Sequence, residues 1–322
     1  MKKFKLESII HSDYQIVDFG YTEELEPRTY KEFLQWIELN YNGPLNYLAD
    51  HRKDIRKSLK DVYSDCESSL VFLFDYRSSK KFIEETKPKN KIASYTVGFE
   101  DQDYHFWIKE KLERMGRDLQ AVFNGLEFKL SLDIHPVLER DLAERAGLGW
   151  FGKNSMIINQ KFGSYNLIGS LLLNQKLPLN FRPSVADHCG NCTRCLDACP
   201  TNAILDGSRT IDSSKCISTF TIELFKDSQP PTGYPSQENE VFGCDICQEV
   251  CPWNIKPMQT ASKIESSDLV DFFNRDLSEV CCDIEAMSNK NFKTFFKSTS
   301  FERVGKRGLL KNLKYYLESS KD

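Results

Sequence analysis

Eight of the eleven cysteines in this chain fall into two runs with one residue between them. The first run is Cys189-Gly-Asn-Cys192-Thr-Arg-Cys195-Leu-Asp-Ala-Cys199-Pro200; the second is Cys244-Asp-Ile-Cys247-Gln-Glu-Val-Cys251-Pro252, and Cys216 stands alone between them. Three thiolates at C-x2-C-x2-C spacing wrap one face of an iron–sulfur cubane. The longer step to a fourth cysteine followed by proline throws that thiolate toward a second centre. One predicted set is therefore Cys189, Cys192, Cys195 and Cys251. The other is Cys244, Cys247 and Cys199, with Cys216 standing in for the cysteine that the second run lacks.

The spacing of the first run is that of two-cluster bacterial ferredoxins, so the chain is expected to carry two [4Fe-4S] clusters in a ferredoxin-like segment. Structural zinc uses closed sites of four ligands in paired C-x2-C knuckles, which leaves the third cysteine and the Cys-Pro endings without a purpose. Disulfides belong to oxidising compartments, and the start Met1-Lys-Lys-Phe-Lys-Leu-Glu-Ser has no apolar core of a secretion signal. Cys66, Cys281 and Cys282 remain as buried or incidental thiols.

The chain has 322 residues and a net charge of −4, a balance that neither demands nor excludes a polyanionic partner. No apolar run approaches the roughly 18 residues that cross a bilayer. A cytoplasmic monomer with no membrane attachment is expected. The length leaves room for a substantial core ahead of the cysteines. Three units are predicted: residues 1–180 as a catalytic α+β domain, 181–260 as the ferredoxin-like domain, and 261–322 as a basic helical segment packed on the core.

Periodicity supplies the elements. Apolar residues at helical spacing mark helices over 28–41 and 104–123, and Ser69–Asp75 is an apolar run of strand length. Pro136 suits the first turn of a helix that ends at Gly147. Strands over Ser155–Asn159 and Tyr165–Leu173 are expected to pair across a turn at residues 161–164, and 227–240 reads as an exposed loop. Gly147-Leu-Gly149-Trp-Phe-Gly152 spells a dinucleotide fingerprint, but that mechanism needs a strand before the glycines and a helix after them. Here a helix precedes and a strand follows, so the glycines serve tight turning or close backbone approach.

The stretch Asp133-Ile-His-Pro-Val-Leu-Glu-Arg-Asp-Leu-Ala-Glu-Arg-Ala-Gly-Leu-Gly-Trp-Phe-Gly-Lys-Asn154 resembles the epoxyqueuosine reductases. So do His188-Cys189-Gly, Ala198-Cys199-Pro-Thr-Asn-Ala-Ile204, the segment from Lys215 to Glu223, and Gly243 to Asn254. The resemblance runs from about residue 15 to the C-terminus. It implies a nitroreductase-like, reductive-dehalogenase-like cobalamin-binding domain fused to the two-cluster module. The implied activity is reduction of the epoxide of epoxyqueuosine to an alkene at the wobble position of tRNA. An external low-potential donor supplies electrons through the clusters to cobalamin. Long members add a helical-repeat extension that this chain lacks, and Ile55-Arg-Lys-Ser-Leu-Lys departs from the usual pattern near Arg52 and Arg56. Rival readings are a corrinoid dehalogenase of small organohalides, which typically carries an export signal, and an electron-transfer ferredoxin without catalysis.

Epoxide oxygen leaves as water only if a general acid protonates it, and Asp133 matches the family's proton donor. A desolvating pocket would raise its pKa and keep it protonated near neutrality; the plainer reading makes Asp133 a helix cap. Arg52, Tyr104, His105, Asp133, Lys153 and Ser155 are the predicted cobalamin-binding residues. The resemblance supplies no histidine to cobalt, so His105 and His135 are not expected to ligate it. Finally, residues 290–316 hold eight Lys or Arg against one acid, Glu302. That is the electrostatic footprint of a nucleic-acid contact, expected on the face of Arg307 and Lys311 opposite Leu309, Leu310 and Leu313.

Overall fold

The computed structural model describes residues 16–319 apart from 225–227, 231–232 and 235–239. In chain order the first elements are β1 (Ile16–Thr22), α1 (Tyr30–Glu38), α2 (Arg52–Ile55), α3 (Leu59–Val62), β2 (Ser68–Asp75), α4 (Arg77–Thr86) and β3 (Lys91–Ile92). Then come α5 (Tyr104–Val122), β4 (Phe128–Leu132), α6 (Glu139–Arg145), β5 (Trp150–Phe151), β6 (Ile157–Ile158) and β7 (Asn166–Leu173). The cysteine-bearing half adds α7 (Arg194–Ala198), a π-helix at Thr219–Glu223, β8 (Glu240–Phe242), α8 (Ile246–Glu249) and α9 (Pro252–Met258). Four helices close the chain: α10 (Asp268–Phe273), α11 (Leu277–Ala286), α12 (Asn289–Phe295) and α13 (Phe301–Ser319).

A four-stranded sheet of order β1-β2-β7-β4, with every neighbour antiparallel, organises the first half. Its central strand β2 is apolar on both faces because both are covered, and the period of two divides its residues between two cores. Leu70, Phe72 and Phe74 meet Ile108, Leu112, Met115 and Leu119 of α5 on one side. Val71 and Leu73 meet Leu142, Ala143 and Ala146 of α6 on the other. The mixed helix-and-sheet architecture expected from the sequence is present.

Two local expectations are corrected. The segment Ser155–Asn159 does not form a hairpin with the strand that follows. Its ordered part, β6, pairs with β5, while β7 lies between β2 and β4, where its apolar side chains are buried on both faces. The helix expected from Pro136 begins only at Glu139, after a turn through residues 133–136. It ends as predicted at Gly147, whose φ of +72° is costly for any residue with a Cβ. The N–H groups of Gly147 and Leu148 return to the carbonyls of Glu144 and Ala143 at 2.9 and 3.0 Å, a Schellman closure. A Cβ on Gly149 would stand 2.3 Å from the carbonyl oxygen of Ile158, so the apparent fingerprint serves close packing.

The buried pair Asp141–Arg145 fixes α6 in place. Its oxygen and nitrogen are 2.5 Å apart, and Asp141 also accepts from the Thr29 N–H and hydroxyl at 2.8 and 2.9 Å. A second core joins the cysteine half to the last helices: Phe220, Val241 and Phe242 pack with Phe273, Phe296, Phe301, Leu309, Leu313 and Tyr316. The helix expected at the C-terminus forms within α13, which breaks at Gly305 (φ 67°, ψ 171°). Part of the predicted loop 227–240 lies outside the described residues; Tyr234 within it is buried against Phe220 and Tyr315 rather than exposed. No helix among the described residues is long and apolar enough to cross a membrane.

Candidate functional site

The cysteine runs fold back on each other, with α7 of the first run packed against α8 of the second. All eleven cysteines are free thiols. Burial pushes the Cys251 thiol up to about 11, and its charged neighbours are the thiols of Cys189, Cys195 and Cys192. Burial likewise raises Cys216, which sits beside Cys199. It raises Cys244 and Cys247 well above the ordinary thiol value, with Cys216 next to both and Cys199 next to Cys247. These neighbourhoods place Cys251 with the first run and Cys199 and Cys216 beside Cys247, and Cys195 also lies near Cys247. Among the described residues no three His, Cys, Asp or Glu converge as ligands of a single ion. In a cubane each thiolate binds a different iron, so eight soft thiolate donors gathered here fit the number that two such clusters require.

Aromatic and polar contacts seat the sets. Trp150, His188 and Trp253 form a cluster of rings 5.0–5.5 Å apart beside Cys189 and Cys251. Asn254 accepts from the Ser164 N–H at 2.7 Å and donates to the Gln248 carbonyl at 2.8 Å. The buried Lys80 ammonium pairs with Glu249, and Asp245, between Cys244 and Cys247, accepts from the Ser94 N–H at 2.8 Å. Asn154 reaches the Cys247 carbonyl at 3.3 Å. Elements of the sheet half thus hold the second run on three sides.

A proton-handling group lies at the start of α5. Asp103 caps that helix, accepting from the His105 N–H at 2.9 Å, and its Oδ1 also meets His105 Nδ1 at 2.6 Å. On the other side His105 Nε2 is 3.1 Å from Asp133 Oδ2, which also accepts from the Tyr104 hydroxyl at 2.8 Å. Burial opposes protonation of His105, but the two carboxylates outweigh it and push its pKa up to about 9.

Asp133 itself departs from expectation. Burial would raise its pKa, but hydrogen bonds from His105 and Tyr104 and the charges of His105 and Arg303 bring it below the ordinary value. With 49% of the side chain exposed, desolvation is too weak to win. The proton near neutrality therefore resides on His105. Asp133 is not a helix cap either: Leu138 precedes α6 without a side-chain cap, and Asp133 occupies a turn at φ 21°.

The other predicted residues separate. Arg52 folds back onto Asp50 at 2.6 Å and over the Tyr47 ring, so that Tyr47, rather than Arg52, has Glu223 and Asp133 as charged neighbours. Ser155 is buried and accepts from Arg140 at 2.8 Å through its hydroxyl. Lys153 is half-buried after the turn. His135 binds the backbone of Leu132. Sequence reasoning missed Glu139, Glu223 and Arg303. Burial and the neighbouring Asp133 raise Glu139 well above the carboxylate range, and its Oε1 is buried with no hydrogen-bond partner among the described residues. Glu223, seven residues past Cys216, accepts from Arg303 at 2.7 Å and faces Asp133. No periodicity could reveal them, since they come from three separate elements. Ile134, 74% exposed beside Asp133, and the orphaned Glu139 oxygen fit a large bound group with an apolar face and amide donors.

The basic tail is corrected. Lys311 does not face solvent; its ammonium lies against the Phe220 ring and donates to the carbonyls of Phe220 and Leu224, and desolvation lowers it to about 8. The face shared by Arg307 and Lys311 is therefore not a free basic stripe.

Fold and site together define an iron–sulfur redox protein with an acid–imidazole group near its second thiol set. Residues 188–254 match the family model "4Fe-4S double cluster binding domain", and residues 56–133 match "Epoxyqueuosine reductase QueG, DUF1730". The chain is 36% identical to the epoxyqueuosine reductase of Cyclobacterium marinum over 93% of its own length and 90% of the relative's. It is 30% identical to that of Escherichia coli over 86% of its length and 71% of the relative's. The chain belongs to the epoxyqueuosine reductase family. In fold it is similar to the Streptococcus thermophilus enzyme (TM-score 0.81, 24% identity, 98% of this chain and 81% of that one). It is similar also to the Bacillus subtilis enzyme (TM-score 0.80, 25% identity, 98% and 82%). A further similar structure holds an epoxyqueuosine-modified tRNA-Tyr stem loop (TM-score 0.77, 24% identity, 98% and 81%).

Two outcomes are expected of this site. Cys216→Ala should retain about half the iron of the parent, since only the set with Cys199, Cys244 and Cys247 loses a ligand; full iron with unchanged electron paramagnetic resonance would refute the crossed grouping. His105 has a folded pKa above its unfolded value of about 6.5, so its stabilisation is complete below that pH and lost as pH rises through about 9. Thermal unfolding of His105→Gln against the parent should show a deficit that is largest below pH about 6.5 and disappears above about 9. A pH-independent deficit would place the imidazolium elsewhere.

Proposed function

We propose that the chain reduces the epoxide of epoxyqueuosine to the alkene of queuosine at the wobble position of tRNA. The observation that carries this reading is the convergence on Asp133 of Tyr104, His105 and Glu223, the last on the π-helix that begins three residues after Cys216. Proton delivery and electron delivery thereby meet at one place. The membership of the chain in the epoxyqueuosine reductase family supplies the substrate, and the solved complex with a modified stem loop supports tRNA as its carrier.

In this reading Cys189, Cys192, Cys195 and Cys251 hold one [4Fe-4S] cluster, and Cys199, Cys216, Cys244 and Cys247 hold the other. Residues 1–180 form the cobalamin-binding domain, with a nitroreductase-like and dehalogenase-like ancestry. Residues 181–260 form the ferredoxin-like domain, and 261–322 pack on both. The protein acts as a cytoplasmic monomer served by an external low-potential donor. Tyr104, His105, Asp133, Glu139 and Ile134 border the space for cobalamin; Ser155, bound to Arg140, and Lys153 support its rim, and Arg52 contributes through Tyr47. When bound, cobalamin supplies a low-potential metal that can pass two electrons where each cluster passes one.

The residues of the chain manage the protons. Asp103 and Asp133 hold His105 as imidazolium between them, and Asp133 Oδ2 receives the Nε2 proton along a 3.1 Å bond. Asp133 then presents it to the epoxide oxygen, so that a hydroxyl rather than an alkoxide forms. A second proton, taken up from water through the same His105–Asp133 pair, lets that hydroxyl leave as water, and the external donor supplies the two electrons. Tyr104 fixes the carboxylate from its other side. Asp133→Asn keeps the shape but cannot relay a proton. It should retain iron and fold while turnover falls by about 10²–10⁴, measured as queuosine formed in tRNA. Turnover near that of the parent would remove Asp133 from the chemistry.

A further inference from the structure

Seven of the eight basic residues of 290–316 divide into two groups; the eighth, Arg307, is exposed on α13. Four are consumed within the protein: Arg303 by Glu223 at 2.7 Å, Lys314 by Glu285 at 2.7 Å, Lys306 by the Glu285 carbonyl at 3.0 Å, and Lys311 by the Leu224 carbonyl at 2.6 Å. Lys290, Lys293 and Lys297 are different. They are exposed and enter no ion pair among the described residues, and from Ser288 to Ser298 the sequence has no acid at all.

Lys290 and Lys293 share one face of α12, and Lys297 follows two residues beyond the end of that helix at Phe295. Phe292 and Phe296, 2% and 0% exposed, anchor the opposite face in the core. The row ends against the proton-handling group. Ser298, next to Lys297 and held at φ 61°, accepts from the Asp103 N–H at 2.7 Å, and its own N–H donates to Glu302 at 2.9 Å. Asp103 is the residue that holds His105. A helix that spends three lysines on solvent, on a chain of net charge −4, and abuts the catalytic helix presents positive charge where an approaching polyanion would first meet it.

We propose that Lys290, Lys293 and Lys297 form a docking row for the sugar–phosphate backbone of the substrate RNA, on the stem beside the loop that delivers its modified base. This rests on the reading of the substrate as tRNA. From Lys290 to its end at Phe295 the helix rises about 7.5 Å, and Lys297 stands two residues further on. Each strand of a duplex stem carries one phosphate per nucleotide, so three lysines in a row can meet neighbouring phosphates of one strand. Such contacts position the stem without reading its sequence.

The test uses the full-length protein with both clusters and tRNA bearing epoxyqueuosine, with binding followed by anisotropy across a salt series. Lys290→Gln, Lys293→Gln and Lys297→Gln combined should flatten the slope of log K against log salt by about 2 units, from about 0.7–0.9 per phosphate. KM for tRNA should rise with kcat unchanged, and iron content should match the parent. The corresponding triple Arg variant should keep the parental slope. If the parent binds tRNA and the triple Gln variant shows the same slope, the row is not the docking surface. If that variant binds tRNA normally but accepts electrons more slowly from a reduced donor protein, the row serves the donor and the proposal fails. If the parent itself does not bind this tRNA, the substrate reading fails first and the row with it.

Discussion

The structure is governed by the need to keep eight thiols from three segments crowded together. Ionised thiols gathered in a protein interior repel one another and lack water, so they are tolerable only where a metal centre takes up their charge. Crossing removes any possibility that one run completes its site alone: Cys251 lies with the first run, and Cys199 with Cys216 and Cys247. Three distant segments must therefore be brought together and held. Asn254 on the 161–164 turn, Lys80 on Glu249, and Ser94 on Asp245 do this from the sheet half.

That arrangement also brings the cysteine half up to Asp133. Cys216 leads directly into the π-helix, and a π turn commonly marks a functional site because it re-aims a side chain at the expense of regular bonding. Here the re-aimed residue is Glu223, tied to Arg303 and facing Asp133. The proton side is built from a helix start instead. Asp103 caps α5 and in the same geometry grips His105, so that the element which orients the imidazole also raises its proton affinity. The imidazole and the π-helix thus arrive on independent supports and converge on one half-exposed carboxylate.

Much of this was legible in the sequence because spacing maps directly onto geometry in such cases. The two-cluster domain follows from the reach of a short loop around a cubane. Helix α5 and strand β2 follow from periods of 3.6 and 2, and the stop at Gly147 follows from its left-handed turn. What escaped depends on long-range placement. The short β6 was assigned to the wrong partner because two buried apolar strands carry no register signal. Lys311 looked solvent-facing because its spacing alternates with leucines, yet its ammonium closes the π-helix carbonyls. Asp133 was expected to be kept protonated by desolvation in a pocket, whereas its charge is set by His105 and Tyr104, twenty-eight and twenty-nine residues away in sequence. Glu139, Glu223 and Arg303 had no local signal at all.

The most direct test of the coupling between thiol sets and acid group is a single turnover without external donor. The protein, loaded anaerobically with both clusters and cobalamin and then reduced, is mixed with tRNA carrying epoxyqueuosine. The paramagnetic signal of the reduced clusters and the nucleoside content of the tRNA are followed together. The expected result is queuosine appearing in step with loss of the cluster signal, two electrons for each epoxide removed. Queuosine forming while the clusters stay reduced, or clusters oxidising with no change in the nucleoside, would contradict it.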